Sequence, residues 1–130
     1  MNITGVDHFT INVVDWEKSR RFYGEALGFQ ALPEADLGHV VLHYFALPGG
    51  GKLELIEYRD DTGVFAGGPL EKGMARHLAF VVDDIQAAAD LLRSEGCPIT
   101  EGPGTIEALS ERYLLTRDPN GAELEFVQKI

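Results

Sequence analysis

The sequence repeats itself, and this duplication limits the folds that the chain can adopt. The segment His8–Trp16 reads HFTINVVDW, and His77–Ile85, which starts 69 residues later, reads HLAFVVDDI. Two acidic segments, LELIE from Leu53 and LEFVQ from Leu124, stand 71 residues apart. Because loops absorb a difference of two residues, the chain reads as two copies of one structural unit.

The two copies span residues 4–58 and 74–129, and residues 59–73 connect them. This connecting segment holds four glycines and one proline, which is typical of a linker. A length of 130 residues suits a single domain whose two modules share a core. We therefore expect one domain over residues 1–130.

Each copy predicts the order strand, helix and three strands. Apolar residues alternate with polar ones after His8, which is the period of a half-buried strand. Asp15 stands where a helix N-cap is expected and Gly28 where that helix ends, and Asp84 and Gly96 do the same in the second copy. The clearest later strands are 39–45, 52–57, 113–116 and 123–128.

Strand alternation places four polar side chains on the face of the sheet that the helices do not cover. His8 and His77 each alternate with apolar residues of their own strands, which lie on the opposite face and can pack against a helix. Glu54 lies between two leucines, and Glu125 between a leucine and a phenylalanine. Two imidazoles and two carboxylates at equivalent positions of the repeat therefore share one face, where a site would form.

Four segments resemble the vicinal oxygen chelate superfamily: VDHFTINVVDWEKSRRFYGEALGF, KLELIE, RHLAFVVDDI and DPNGAELEF. This superfamily includes glyoxalase I, methylmalonyl-CoA epimerase, the extradiol dioxygenases, and the fosfomycin and bleomycin resistance proteins. The resemblance covers nearly the whole chain. It implies an α+β fold in which two tandem βαβββ modules form a curled mixed sheet with the helices outside.

The resemblance makes His8, Glu54, His77 and Glu125 the ligands of one divalent transition metal. A single strand histidine is more often structural, but two such pairs at repeat-equivalent positions favour ligation. Imidazoles and carboxylates together suit Zn, Ni, Mn, Co or Fe. Two carboxylates also neutralise a divalent ion formally, which lowers the cost of burying their charges.

The chemistry that the resemblance implies is proton removal next to a carbonyl. A metal that chelates two neighbouring substrate oxygens stabilises the charge that develops on them. Glu125 and Glu54 inherit the role of base from the ligand glutamates of glyoxalase I. The predicted protein is a metal-dependent lyase or isomerase for a small molecule with neighbouring oxygens, and its ligand set is nearest to glyoxalase I.

Two positions depart from glyoxalase I. Asn12 stands where that enzyme has an arginine that helps to hold glutathione, and Tyr58 stands where it has an asparagine that contacts glutathione. Both departures weaken the case for a glutathione substrate. Two alternatives stay open: a metal-free protein that sequesters a ligand, as bleomycin resistance proteins do, and a ring-cleaving or other dioxygenase of the superfamily.

Composition bears on partners and compartment. A net charge of −10 argues against nucleic acid, which needs basic patches. No apolar run approaches the ~20 residues of a membrane helix. A single cysteine and no signal-like N-terminal segment fit the cytoplasm. The superfamily resemblance implies a homodimer whose active sites join module one of one subunit to module two of its partner.

Other polar residues carry weaker expectations. His39 and His43 lie at even spacing, so both either face the cavity or are exposed. Glu57 and Glu123 are interpreted as surface acids. Nothing near Cys97 suggests an activated thiolate.

Overall fold

The computed structural model describes residues 1–2, 4–60 and 75–130, and the chain divides into two compact units, Met1–Val64 and Phe65–Ile130. Each unit follows the order strand, helix and three strands, so the predicted α+β class with two βαβββ modules is confirmed. The strands form two mixed four-stranded sheets, one in each unit. Of the predicted linker 59–73, only residues 59 and 60 lie within the described residues.

In unit one the strand order is β1-β4-β3-β2, with β1 parallel to β4 and the other neighbours antiparallel. Helix α1 continues directly into a π-helical segment, a rare and wider form of helix. The elements are β1 His8–Val13, α1 Trp16–Arg20, the π-helical segment Arg21–Ala26, β2 Ala31–Asp36, β3 Val40–Ala46 and β4 Lys52–Tyr58.

Unit two repeats this topology with the strand order β5-β8-β7-β6, again with the first strand parallel to the last. Its strand β5 begins one residue after His77. The elements are β5 Leu78–Val81, α2 Ile85–Ser94, β6 Ile99–Ile106, a 3₁₀ turn Glu107–Leu109, β7 Glu111–Arg117 and β8 Glu123–Lys129.

Burial confirms the predicted apolar faces in both units. Leu53 and Leu55, which flank Glu54, are fully buried, and Leu124 beside Glu125 is fully buried as well. In unit two, α2 packs against β6, β7 and β8 through a buried face of residues spaced three and four apart. Among the described residues, none of the helices combines the length and the apolar character that a bilayer crossing requires.

The predicted helix starts and ends are confirmed. The Asp15 carboxylate accepts a hydrogen bond from the Lys18 amide at 3.1 Å, and the Asp84 carboxylate accepts two, from the Gln86 and Ala87 amides. These bonds satisfy N–H groups that have no partner within the helix. Gly28 and Gly96 both adopt a φ of 73°, the left-handed conformation that ends a helix without a Cβ clash.

Asp84→Ala is expected to lower the free energy of unfolding by about 1 kcal/mol, because two amide donors at the start of α2 lose their acceptor. Urea denaturation followed by far-UV circular dichroism measures the change. Asp83→Ala removes the neighbouring exposed aspartate and should change stability by less than about 0.5 kcal/mol. Equal losses in the two variants would contradict the capping role of Asp84.

Candidate functional site

Strand register brings Glu54 between two hydroxyl groups in unit one. In the sheet, Glu54 of β4 is the partner of Thr10 in β1 on one side and of Tyr44 in β3 on the other. Thr10 Oγ1 donates to Glu54 Oε1 at 3.0 Å, and Tyr44 OH donates to Glu54 Oε2 at 2.6 Å. The carboxylate of a buried residue, 7% exposed, thus accepts one hydroxyl hydrogen bond on each oxygen.

The hydrogen bond to Glu54 also changes the pKa of Tyr44. Donation to Glu54, together with burial, raises the pKa of Tyr44 to about 12. Since the phenol stays protonated, it remains a hydrogen-bond donor throughout the physiological pH range. The shift therefore favours a persistent contact between Tyr44 and Glu54.

His8 approaches the same carboxylate from the start of β1. Its Nε2 lies 3.8 Å from Glu54 Oε1, and its Nδ1 lies 2.6 Å from Asp7 Oδ2. An ionised carboxylate only accepts, so Nδ1 carries the proton and Nε2 faces Glu54. The hydrogen bond from His8 lowers the pKa of Asp7, and the positive charge of Lys52 lowers it further.

Unit two contains a corresponding pair. His77 Nε2 lies 3.0 Å from Glu125 Oε2, and His77 Nδ1 lies 3.2 Å from Glu123 Oε1. Both histidines therefore present Nε2 to the glutamate of the repeat and Nδ1 to a second carboxylate. This is the arrangement by which proteins orient metal-binding imidazoles, with the distal nitrogen held by an acid.

The interpretation of Glu123 as a surface acid is wrong. The side chain is only 6% exposed, and it accepts a hydrogen bond from Arg76 Nε at 3.0 Å besides its contact with His77. Burial by itself raises the pKa of Glu123, but the hydrogen bonds from Arg76 and His77 outweigh it and the pKa lies below its usual range. Glu123, the acid that orients His77, lies two residues from Glu125 and therefore on the same face of the strand. Strand alternation would have identified it from the sequence.

The four predicted ligands lie in two pairs, His8 with Glu54 in unit one and His77 with Glu125 in unit two. Within residues 1–2, 4–60 and 75–130, no group of three or more His, Cys, Asp or Glu side chains is placed to hold a metal ion. Their union in one four-ligand centre is therefore still a prediction.

The donors in each pair nevertheless suit a divalent ion. Two ligand atoms at about 2.1 Å from one ion lie roughly 3.0 Å apart at a right angle and roughly 3.4 Å apart in a tetrahedron. The His77–Glu125 separation of 3.0 Å matches the first value, and the His8–Glu54 separation of 3.8 Å is wider than either. Both pairs of residues therefore fit a divalent metal ion, and in unit one the His8–Glu54 separation would have to shorten by a few tenths of an ångström.

His43 was expected either to face the cavity or to be exposed, and both expectations are wrong. It is buried on the helix side of the sheet. Its ring stacks on Trp16 with centroids 3.5 Å apart, and its two nitrogens lie 3.0 Å from Glu34 and 2.7 Å from Glu57. Glu57 is therefore a histidine partner rather than a free surface acid. His39 is exposed. These contacts join α1, β2, β3 and β4, and a pocket of about 420 Å³ lies beside them.

The two positions that distinguish this chain from glyoxalase I contact each other. Tyr58 OH donates to Asn12 Oδ1 at 2.6 Å, and both side chains are partly buried. The pair thus presents neutral hydrogen-bonding groups near Glu54, two residues along β1 from Thr10. Elsewhere, burial raises the pKa of the Cys97 thiol to about 11, in agreement with the prediction of an inactive cysteine.

Comparison with known proteins assigns the family. Residues 5–126 match the model of the Glyoxalase/Bleomycin resistance protein/Dioxygenase superfamily. The chain belongs to this superfamily. The resemblance inferred from the repeat and its motifs is thereby confirmed.

The proteins that this chain is similar to include two named as lactoylglutathione lyases and one named as an antibiotic binding protein. A probable lactoylglutathione lyase of Vibrio cholerae is 29% identical over 124 residues, covering 93% of this chain and 88% of that protein. The lactoylglutathione lyase of Haemophilus influenzae is 28% identical, covering 93% and 90%. The structure of TnmS3, an antibiotic binding protein of a Streptomyces species, is 26% identical, with a TM-score of 0.74 and coverage of 100% and 99%.

Proposed function

We propose that this protein is a divalent-metal-dependent lyase or isomerase of the glyoxalase I type, which removes a proton next to a carbonyl in a substrate with neighbouring oxygens. The observation that supports it best is the matched pair of His–Glu contacts at repeat-equivalent positions. In both pairs a second carboxylate faces Nδ1 and leaves Nε2 directed at the glutamate. Relatives named as lactoylglutathione lyases support the same activity.

In this proposal His8, Glu54, His77 and Glu125 complete one centre. The chain acts as a homodimer, in which module one of one subunit and module two of its partner supply the two pairs. Four protein ligands leave one or two positions of a five- or six-coordinate ion for the substrate. The metal is one of Zn, Ni, Mn, Co and Fe, all of which accept mixed imidazole and carboxylate ligands.

The residues of the chain divide the chemistry among them. A divalent ion at the centre would supply Lewis acidity toward two neighbouring substrate oxygens. Glu125 is the better candidate for the proton acceptor, because its hydrogen-bond and ion-pair partner within the described residues is His77 alone. Asp7 and Glu123 orient the two imidazoles through their Nδ1 atoms. Glu54, held by two hydroxyl groups, is the less mobile carboxylate.

The substrate differs from glutathione adducts in this proposal. Asn12 and Tyr58 hydrogen-bond to each other, and neither side chain carries a positive charge, whereas a glutathione carboxylate is best bound by a positive group. A substrate that carries a smaller or uncharged group at this end fits these residues better. We expect methylglyoxal adducts of small thiols to be processed faster than the glutathione adduct.

A second function is ligand sequestration without a metal. The antibiotic binding protein TnmS3 shares the fold and 26% of the aligned residues, and a net charge of −10 would attract a cationic ligand. The two functions differ in their need for a transition metal, so metal content separates them.

Metal binding provides the decisive experiment. Protein purified without chelators is expected to hold a transition metal by elemental analysis. Addition of Ni²⁺, Zn²⁺ or Mn²⁺ at one hundred times its dissociation constant should raise stability by about 2.7 kcal/mol, or roughly 10 °C in Tm. His77→Ala should abolish the rise, whereas His39→Ala, which removes an exposed histidine outside both pairs, should keep it. Wild-type protein with no metal and no rise in Tm would refute the enzyme proposal.

A further inference from the structure

The two glutamates of the repeat have different neighbours in their sheets. Glu54 is paired with Thr10 in the adjacent parallel strand and with Tyr44 in the adjacent antiparallel strand. At the same positions of unit two, Glu125 is paired with Ala79 and with Leu115. The two units share one topology, but the strand partners on either side of the glutamate differ between them.

This difference changes what holds each carboxylate. The hydroxyl pair, Thr10 Oγ1 and Tyr44 OH, donates one hydrogen bond to each oxygen of Glu54, at 3.0 and 2.6 Å. A bond on each oxygen fixes both the position and the plane of a carboxylate. The alanine and leucine side chains have no donor, so these two positions supply no equivalent hydrogen bonds to Glu125.

We propose that Thr10 and Tyr44 are positioning residues that keep Glu54 in one orientation as a permanent metal ligand, so that the two glutamates of the repeat have unequal mobility. The inference rests on the proposed function, because it assumes that Glu54 binds a metal. The hydroxyl pair acts through Glu54 and does not touch the substrate or the metal. Its contribution is to restrict rotation of the Glu54 carboxylate, as hydrogen bonds to a metal-binding carboxylate do.

Tyr44→Phe and Thr10→Val remove one donor each while keeping the shape of the side chain. Each variant is expected to weaken Co²⁺ or Ni²⁺ binding roughly tenfold, and the double variant up to about a hundredfold. The rate of metal loss to a chelator should rise by similar factors. The visible absorption spectrum of the Co²⁺ protein should change as well, since it reports the ligand geometry. A purely structural role would leave that spectrum unchanged in folded variants.

Three further variants test the assignment. Thr10→Ser restores a hydroxyl and should recover most of the metal affinity lost in Thr10→Val. Thr105→Val removes an exposed hydroxyl from β6, and it should leave metal affinity unchanged. Ala79→Thr places a hydroxyl beside Glu125 at an exposed position, and it should slow metal loss several-fold. Circular dichroism establishes that each single variant is folded.

The outcomes separate the two proposals. If wild-type protein binds metal but Tyr44→Phe and Thr10→Val match it in affinity, release rate and Co²⁺ spectrum, the positioning role is overturned while the proposed function stands. If wild-type protein itself binds no metal, both proposals fail. Loss of affinity with a changed spectrum, and recovery in Thr10→Ser, supports the role of the hydroxyl pair.

Discussion

Glu125→Gln is expected to slow proton removal from the substrate by roughly 10²- to 10⁴-fold, the range that a positioned general base contributes. An amide has no basic oxygen that can accept the proton, although it can still approach His77. Deuterium uptake at the α-carbon of a methylglyoxal–thiol adduct in heavy water, followed by NMR, measures this step. The fractional loss of metal content and the decrease in Tm should both be small compared with the loss of rate.

The repeat supplies the matched comparison. Glu54→Gln changes the equivalent residue and leaves the proposed base in place, so its main effect should be on metal affinity. Glu107→Gln, an exposed glutamate of the 3₁₀ turn, should change neither quantity. A larger loss of rate in Glu54→Gln, with metal still bound, would transfer the role of base from Glu125 to Glu54.

Leu53→Ala and Leu124→Ala are each expected to lower the free energy of unfolding by about 2–5 kcal/mol. Both leucines are fully buried beside a glutamate of the repeat, so truncation leaves a cavity in the apolar layer of its own sheet. A loss of this size is a large fraction of the total free energy of unfolding of a small domain. Urea denaturation gives the change in free energy for each variant.

The single tryptophan makes this test specific for unit one. Trp16 stacks on His43 in that unit, so its fluorescence follows unfolding there, while far-UV circular dichroism follows strands and helices of both units. Leu53→Ala should lower the midpoint of the fluorescence transition, and Leu124→Ala that of the dichroism transition. Leu109→Ala, at a residue that is 59% exposed, should cost less than about 0.5 kcal/mol. An unchanged fluorescence midpoint in Leu53→Ala would contradict the packing described for unit one.

Features that depend on local sequence could be predicted. The helix caps at Asp15 and Asp84 follow from residue type and position, and the faces of β1 and β4 follow from strand alternation. The repeat adds a second example of each feature, which is why the order of helices and strands in both units could be derived. The hydrogen bond between Thr10 and Glu54 is consistent with the predicted polar face.

The strands β2 and β6 could not be bounded from the sequence. Both are edge strands, and both shift register against their neighbours, between Leu32 and Ala35 in β2 and twice in β6. Edge positions and bulges tolerate proline and glycine, and the segments ALPEAD and ITEGPGTI contain both polar residues and these breakers. The alternation that identifies a strand is therefore absent from them.

The partners of His43 were missed for a different reason. Its contacts come from Trp16 in α1, Glu34 in β2 and Glu57 in β4. Each contact depends on the register between strands or on the placement of a helix, which periodicity does not specify. The tertiary fold thus converts a histidine at an ordinary strand position into a buried link among four elements.

Because hydroxyl donors flank Glu54 and not Glu125, the two halves of the chain are no longer interchangeable. A protein assembled from two copies of the first half would carry two restrained carboxylates, and one assembled from two copies of the second half would carry two unrestrained ones. Neither would combine a fixed ligand with a mobile one. Under the proposed function, the two different halves of one chain together provide both kinds of carboxylate.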